Sequence, residues 1–85
     1  VDPIRSKFKE IEREEISLEE KMAEVREEVR GLEGINFRTL LEMQASKMNI
    51  IVTFLAILEL MKIGAIAIRQ EDIFGEIIID SLDTI

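Results

Sequence analysis

The chain has 85 residues, of which 47% are hydrophobic, and its 18 acidic and 11 basic side chains give a net charge of -7. This length supports one small domain, and the hydrophobic fraction argues against extensive disorder. The acidic balance argues against a nucleic-acid-binding surface, which needs clustered Lys and Arg.

No residue pattern suited to catalysis or cofactor binding is present in the sequence. The chain contains no His and no Cys, which removes the usual catalytic triads, zinc sites and disulfides. Its 4 glycines are scattered and form no phosphate-binding loop. We therefore predict no enzyme activity, no catalytic residue, no cofactor and no metal. The first residues lack the apolar segment of a signal peptide, and the initial Val favours a fragment of a longer protein.

The first segment has the pattern of an exposed amphipathic helix. Asp2 and Pro3 combine a capping residue with a proline at the first helical position. Apolar side chains then recur at spacings of four and three, at Ile4, Phe8 and Ile11. We interpret residues 1–16 as a linker helix that packs on the domain, and the alternative is a helix that docks on a partner.

A second amphipathic helix is predicted to start at Ser17, because "SLEE" at positions 17–20 is a capping box. Apolar residues then repeat at spacings of four, three and four: Leu18, Met22, Val25 and Val29. The helix is expected to run to about Arg30 and to be broken by Gly31 or Gly34. Its other face, predicted to lie in solvent, is charged: Glu19, Glu20, Lys21, Glu24, Arg26, Glu27 and Glu28.

The middle of the chain predicts a brief strand and two further helices. "INF" at 35–37 suits an extended segment, and "RTLLEMQ" at 38–44 suits a short helix with Leu40 and Leu41 facing inward. Ser46 is a suitable cap for a third helix from about Lys47 to Ile63. Gly64 supplies the left-handed residue that ends many helices.

Beyond position 64 the apolar period changes from helical to alternating. "AIAIRQ" and "EIIID" predict two strands joined by the turn "EDIFGE", which makes a hairpin. The order of helix, strand, helix, helix, strand, strand is that of a winged helix, a three-helix helix-turn-helix core with a β-hairpin wing. We therefore predict an α+β fold, with a linker helix at 1–16, a winged-helix domain at 17–81 and a frayed tail at 82–85.

The most apolar run, "NIIVTFLAILELMKIGAIAI" at 49–68, is interrupted by polar side chains and is not expected to span a membrane. Within it, the third helix is apolar around most of its circumference. One side carries Ile50, Phe54, Ile57, Leu58 and Met61, joined by Ile51, and the other carries Val52, Ala56, Leu60 and Ile63. So small a domain covers only one side of such a helix. The uncovered side is expected to form an apolar patch, and patches of this kind mark interfaces.

The residues alone leave open what buries this apolar patch. A protein partner, the linker helix folded back through its apolar stripe, and a second copy of the chain would each bury it. A DNA-reading third helix should expose Arg, Lys, Asn or Gln, whereas the basic residues here are Lys47 and Lys62. The residues therefore favour a protein partner over DNA.

Two motifs stand at a fixed separation in "VTFLAILELMKIGAIAIRQEDIFGEIII", residues 52–79. The first is "FLAILEL" at 54–60, and the second is Gln70-Glu71 followed, after two residues, by "FGEI" at 74–77. Together they resemble the C-terminal winged helix of kleisins, and most closely the bacterial and archaeal type called segregation and condensation protein A. The resemblance extends over roughly residues 17–80.

The resemblance implies a non-catalytic interaction module that binds the ATPase head of an SMC (structural maintenance of chromosomes) protein. In the family, such binding helps to close an SMC–kleisin ring in chromosome condensation and segregation. A ScpB-like accessory subunit would bind through regions absent from these residues. The implied location is the cytoplasm, on the nucleoid through the SMC complex, without direct DNA binding and without membrane contact.

The resemblance also implies roles for particular residues. Phe54 and Leu58 would face the SMC head, with Ile51 and Met61 beside them as further partner-binding residues. Phe74 would anchor the wing, and Gly75 would permit its turn. The alternative function is that of a DNA-binding winged-helix transcriptional regulator.

Overall fold

The computed structural model describes residues 15–31 and 33–83, which form three helices and three strands. In chain order these are α1 Leu18–Arg30, β1 Ile35–Asn36, α2 Phe37–Glu42, α3 Lys47–Lys62, β2 Ile66–Arg69 and β3 Ile78–Ser81. The predicted α+β class and the predicted order of elements are confirmed, and the arrangement is compatible with a winged helix. The predicted linker helix falls almost entirely on residues 1–14, outside the described part. The domain boundary at residue 17 stays a prediction.

Three antiparallel strands form a sheet in the order β1–β3–β2, with β3 in the centre. Ile79 of β3 lies opposite Ile35 on one side and Ile68 on the other. Immediately after β1, the Phe37 amide donates to the Ile77 carbonyl at 2.8 Å and extends the pairing. The predicted hairpin is therefore confirmed and gains β1 as a third strand, a contact across more than forty residues that local sequence pattern does not show.

The core lies between the sheet and the packed pair α1 and α3. It is built from the buried side chains of Val25, Val29, Ile35, Leu40, Ala56, Ile57, Leu60, Ala65, Ile66 and Ile79. Each buried aliphatic side chain of this size contributes about 1.5–3 kcal/mol relative to exposure. The apolar repeat of the second predicted helix is confirmed at its centre, since Val25 and Val29 are buried and Met22 packs against the core.

Side-chain caps fix where the helices begin. The Oγ atoms of Ser17 and Ser46 each accept a hydrogen bond from the amide three residues on, at 3.3 and 3.1 Å, as predicted. Asn36 caps α2 in the same way, although "INF" favoured a strand through Phe37. Gly64 has a φ of 78°, which confirms the predicted left-handed residue after α3.

Lys21 corrects the prediction of a uniformly solvated charged face on α1. Its side chain is buried, and Nζ donates to Asn49 Oδ1 at 2.9 Å and to Gln44 Oε1 at 3.2 Å. A Glu24 carboxylate oxygen lies 3.1 Å away. The loop between α2 and α3 lies over this part of α1, so the Lys stem is covered while its ammonium group stays hydrogen-bonded.

The first two residues of the predicted frayed tail at 82–85 make hydrogen bonds to the rest of the described domain. The Leu82 amide donates to the Ala65 carbonyl at 2.9 Å. The Asp83 carboxylate accepts from Arg26 at 2.7 and 2.8 Å and also from Arg30 at 3.2 Å. These bonds attach the end of the described chain to Ala65, just before β2, and to α1, while residues 84–85 lie outside the described part.

None of the described helices combines the length and the apolar character that a membrane crossing requires.

Candidate functional site

Helix α3 presents one buried side to the rest of the domain. Five of its residues are buried: Val52, Thr53, Ala56, Ile57 and Leu60. Two residues differ in burial from the side of the helical wheel to which they were grouped. Ile57 was grouped with Phe54 and Leu58 but is 1% exposed, because it lies only about 60° from Leu60 around the helix. Ile63 was grouped with Val52, Ala56 and Leu60 but is exposed, because it lies at the C-cap, where the helix ends.

The opposite side of α3 is apolar and open to solvent. The four residues predicted to bind a partner lie on it at spacings of three, four and three, with exposed fractions between 39% and 53%: Ile51, Phe54, Leu58 and Met61. The structure therefore brings all four together on one surface. Their binding role stays a prediction.

Two more exposed apolar residues widen this surface. Ile50 was placed on it by the helical wheel, whereas Leu55 was assigned to neither side. Leu55 is the neighbour of Leu58 one helical turn away, and their equal exposure shows that both lie on the open side. The complete surface, called the α3 face below, consists of Ile50, Ile51, Phe54, Leu55, Leu58 and Met61.

One edge of the α3 face is anchored by an aromatic pair. The rings of Phe54 and Phe37 meet edge-on, with centroids 6.0 Å apart and planes at 74°. This is a favoured geometry for two aromatic rings. Phe37 is itself packed against the core, so it restricts Phe54 to a fixed position while leaving much of that ring exposed. The α3 face thus presents at least one large apolar side chain in a defined orientation.

The loop between β2 and β3, residues 70–77, corrects the predicted role of Phe74. Its side chain is 97% exposed, so it cannot anchor the turn. Instead the side-chain amide of Gln70 donates to the backbone carbonyls of Ile73 and Gly75, at 3.3 and 2.9 Å. Gly75 lacks a positive φ, but a Cβ there would lie 3.2 Å from Asp72 atoms. The glycine is therefore suited to this turn by its small size.

Charged groups around the α3 face are few and mixed in sign. Lys47 and Lys62 lie at the two ends of the helix, and Glu59 is half-buried near its last turn. Within residues 15–31 and 33–83, no group of three or more acidic side chains is placed to hold a metal ion. The six exposed side chains of the α3 face are all apolar, so the chemistry that they offer is burial of apolar surface.

The fold and this surface define a class: a small α+β domain of three helices and a three-stranded antiparallel sheet, with an open apolar helix face. The chain belongs to the segregation and condensation protein A family, since the family model described as segregation and condensation protein ScpA matches residues 2–82. The family resemblance carried by the two motifs is thereby confirmed.

Relatives of the same name span several bacteria. The chain is 43% identical to segregation and condensation protein A of Halothermothrix orenii over 72 residues, which cover 82% of this chain and 30% of that protein. It is 41% identical to the Brevibacillus brevis protein over 69 residues, covering 81% and 27%. It is 42% identical to the Bacillus pumilus protein over 76 residues, covering 88% and 30%. The chain thus spans about three tenths of the length of these relatives, whose names specify segregation and condensation and no catalysed reaction.

Proposed function

We propose that the chain is a kleisin winged-helix domain whose α3 face binds the ATPase head of an SMC protein without taking part in catalysis. The observation that carries this proposal is the exposure of the apolar α3 face. The domain's own packing uses the opposite side of α3. An apolar surface of this kind on a small domain favours contact with another protein.

Covering the α3 face would contribute to the stability of a complex. Ile51, Phe54, Leu58 and Met61 are already about half buried, so covering the rest of these side chains would contribute on the order of 3–6 kcal/mol, about half of the 1.5–3 kcal/mol for each fully buried side chain. The loss of translational and rotational freedom offsets a large part of this gain. The edge-on contact with Phe37 reduces the remaining cost, because Phe54 is already oriented before binding.

In the whole protein, we propose that this binding helps to close an SMC–kleisin ring that acts in chromosome condensation and segregation. The names of the relatives and the family motifs support this role. The accessory subunit would bind outside these residues. The proposed place of action is the cytoplasm, on the nucleoid through the SMC complex.

The double variant Phe54→Asp, Leu58→Asp tests this function. Both side chains are about half exposed, so we expect the circular dichroism melt to be retained and binding to a purified SMC ATPase head to be lost. Met43→Asp introduces the same charge at an exposed apolar residue at the far end of α2 and should bind normally.

Four results would contradict the proposal. Unfolding of the double variant would show that these side chains support the core, and unchanged binding would remove the α3 face from the interface. A dimer of the isolated chain in sedimentation, dissociated by the double variant, would assign the face to a second copy. Tight duplex binding at low salt would favour the alternative DNA-binding regulator.

A further inference from the structure

The β2–β3 loop carries a second exposed apolar feature near its middle, distinct from the α3 face. Ile73 is 82% exposed and Phe74 is 97% exposed, the two highest values among the described large hydrophobic side chains. These two residues are called the apolar tip below. A Phe ring that contributes nothing to its own domain leaves its whole apolar surface available for another molecule.

The apolar tip is held in place by the polar residues around it. The Gln70 side-chain amide bridges two loop carbonyls, and the Gly75 amide donates to the Asp72 carbonyl at 2.9 Å. The close approach of Gly75 to Asp72 keeps the turn tight. A projecting side chain on a fixed turn loses less conformational freedom on binding than one on a flexible loop. These hydrogen bonds therefore restrict the backbone that carries Phe74, while its ring projects into solvent.

The apolar tip is connected to the α3 face through Phe37. On one side the Phe37 ring meets Phe54 of the α3 face. On the other, its amide donates to Ile77 at the end of the loop. A shallow groove of about 140 Å³ runs between the start of α2 and the loop, lined by Asn36, Phe37, Arg38, Gly75, Glu76 and Ile77. Phe37 therefore contacts the α3 face through Phe54 and shares this groove with residues 75–77, which follow the apolar tip.

The charges beside the apolar tip define what it can contact. Residues 70–77 contain three acidic side chains, all exposed, and no basic one: Glu71, Asp72 and Glu76. Arg69 at the base of the loop is already paired with Asp80 at 2.9 Å. Phosphate groups of nucleic acid or of an anionic membrane would be repelled here. An apolar pocket rimmed by Lys and Arg on a protein has the complementary chemistry.

We propose that the apolar tip is a second contact point, at which Phe74 inserts into an apolar, basic-rimmed pocket on the same protein that covers the α3 face. This inference rests on the proposed function, because it assigns both contacts to the SMC ATPase head. A two-point contact fixes the orientation of the domain on its partner, which one helix face alone does not.

The test is the affinity of the chain for a purified SMC ATPase head, measured by calorimetry. Phe74→Ala should leave the melting temperature unchanged and weaken binding about 30-fold, the effect of losing an interface anchor of about 2 kcal/mol. Met43→Ala is the matched control, since it removes an exposed apolar side chain at the opposite end of α2 and should bind as the unaltered chain does.

Glu76→Lys and Glu28→Lys together test the basic rim of the proposed pocket. Glu76→Lys next to the tip should weaken binding and reduce its salt dependence, because a charge pair with the basic rim is replaced by repulsion. Glu28→Lys makes the same change on the exposed side of α1 and should have little effect. Equal effects of the two variants would show a response to net charge alone and would overturn the basic-rim assignment.

A fluorescent variant reports insertion directly. The chain contains no Trp, so Phe74→Trp adds a single indole whose emission, after subtraction of the head's own signal, should shift to shorter wavelength in the complex. An unshifted emission in a formed complex would overturn insertion, whatever the affinity.

The outcomes separate this inference from the function on which it rests. If Phe74→Ala binds normally while Phe54→Asp, Leu58→Asp does not bind, the tip contact is wrong and the proposed function stands. If the unaltered chain does not bind the head, both fail. A self-associated chain that Phe74→Ala converts to monomer would assign the tip to a second copy and would also overturn the inference.

Discussion

Thr53 is the residue at which the packing of α3 leaves a polar atom unsatisfied. Its side chain is fully buried, and Oγ1 has no hydrogen-bond partner among residues 15–31 and 33–83. A buried hydroxyl without a partner costs about 1–3 kcal/mol. Thr53→Val keeps the shape and removes the hydroxyl, so we expect the free energy of unfolding to rise by about 1 kcal/mol in urea denaturation.

The matched control is Thr39→Val on the exposed side of α2. There the hydroxyl is solvated, and the same exchange should change stability by less than about 0.5 kcal/mol. A loss of stability in Thr53→Val, with the control unchanged, would mean that the hydroxyl is hydrogen-bonded in solution.

The sequence predicts burial or exposure for some of these side chains and not for others. Phe54 and Leu58 could be placed on one side of α3 because their spacing is helical, and the structure exposes both. Ile57 could not be placed, because periodicity gives the angles between residues but not the centre of the buried side. Phe74 could not be placed because an irregular loop has no period, so its motif does not reveal whether the ring points inward.

Among the elements, α1 and the loop between α2 and α3 are joined by Lys21. Its Nζ hydrogen bonds satisfy Gln44 and Asn49 in a partly buried position. Lys21→Met keeps most of the apolar stem but removes the ammonium group. The Gln44 and Asn49 side-chain oxygens then lose the hydrogen bonds that Nζ donates to them. We expect the free energy of unfolding to fall by about 1–3 kcal/mol, measured by chemical denaturation.

Glu24→Gln provides the comparison for Lys21. It removes only the charge of an exposed partner 3.1 Å from Nζ, and exposed ion pairs contribute about 0–1 kcal/mol. If Glu24→Gln destabilised the domain as much as Lys21→Met, the ion pair would be the dominant interaction of Lys21.

For the whole molecule, the sequence was sufficient for the α+β class and the order of the elements, because caps, breakers and changes of period are local signals. Ser17, Ser46 and Gly64 carry most of that information. The sequence alone did not predict the pairing of β1 with β3 or the attachment of the tail to α1. Both depend on chain segments that are distant in sequence and meet only in the folded domain.

The tail attachment makes the stability of the whole domain depend on pH. Hydrogen bonding from Arg26, joined by Arg30, lowers the pKa of Asp83 to about 2. A carboxyl whose folded pKa is depressed stabilises the fold above its ordinary value of 3.8, and this stabilisation is lost as the pH falls from there through about 2. Asp83→Asn should therefore be less stable than the unaltered chain at neutral pH, with the difference shrinking below pH 3.8.

Denaturation of both chains between pH 7 and pH 2 measures this difference. Asp80, whose pKa is also lowered because Arg69 donates hydrogen bonds to it, is present in both chains and cancels in the comparison. What remains belongs to Asp83 and its two arginine partners. A difference that stays constant across the range would show that the charge of Asp83 does not stabilise the fold, and the tail attachment would then depend on interactions that do not titrate, such as the Leu82 backbone hydrogen bond.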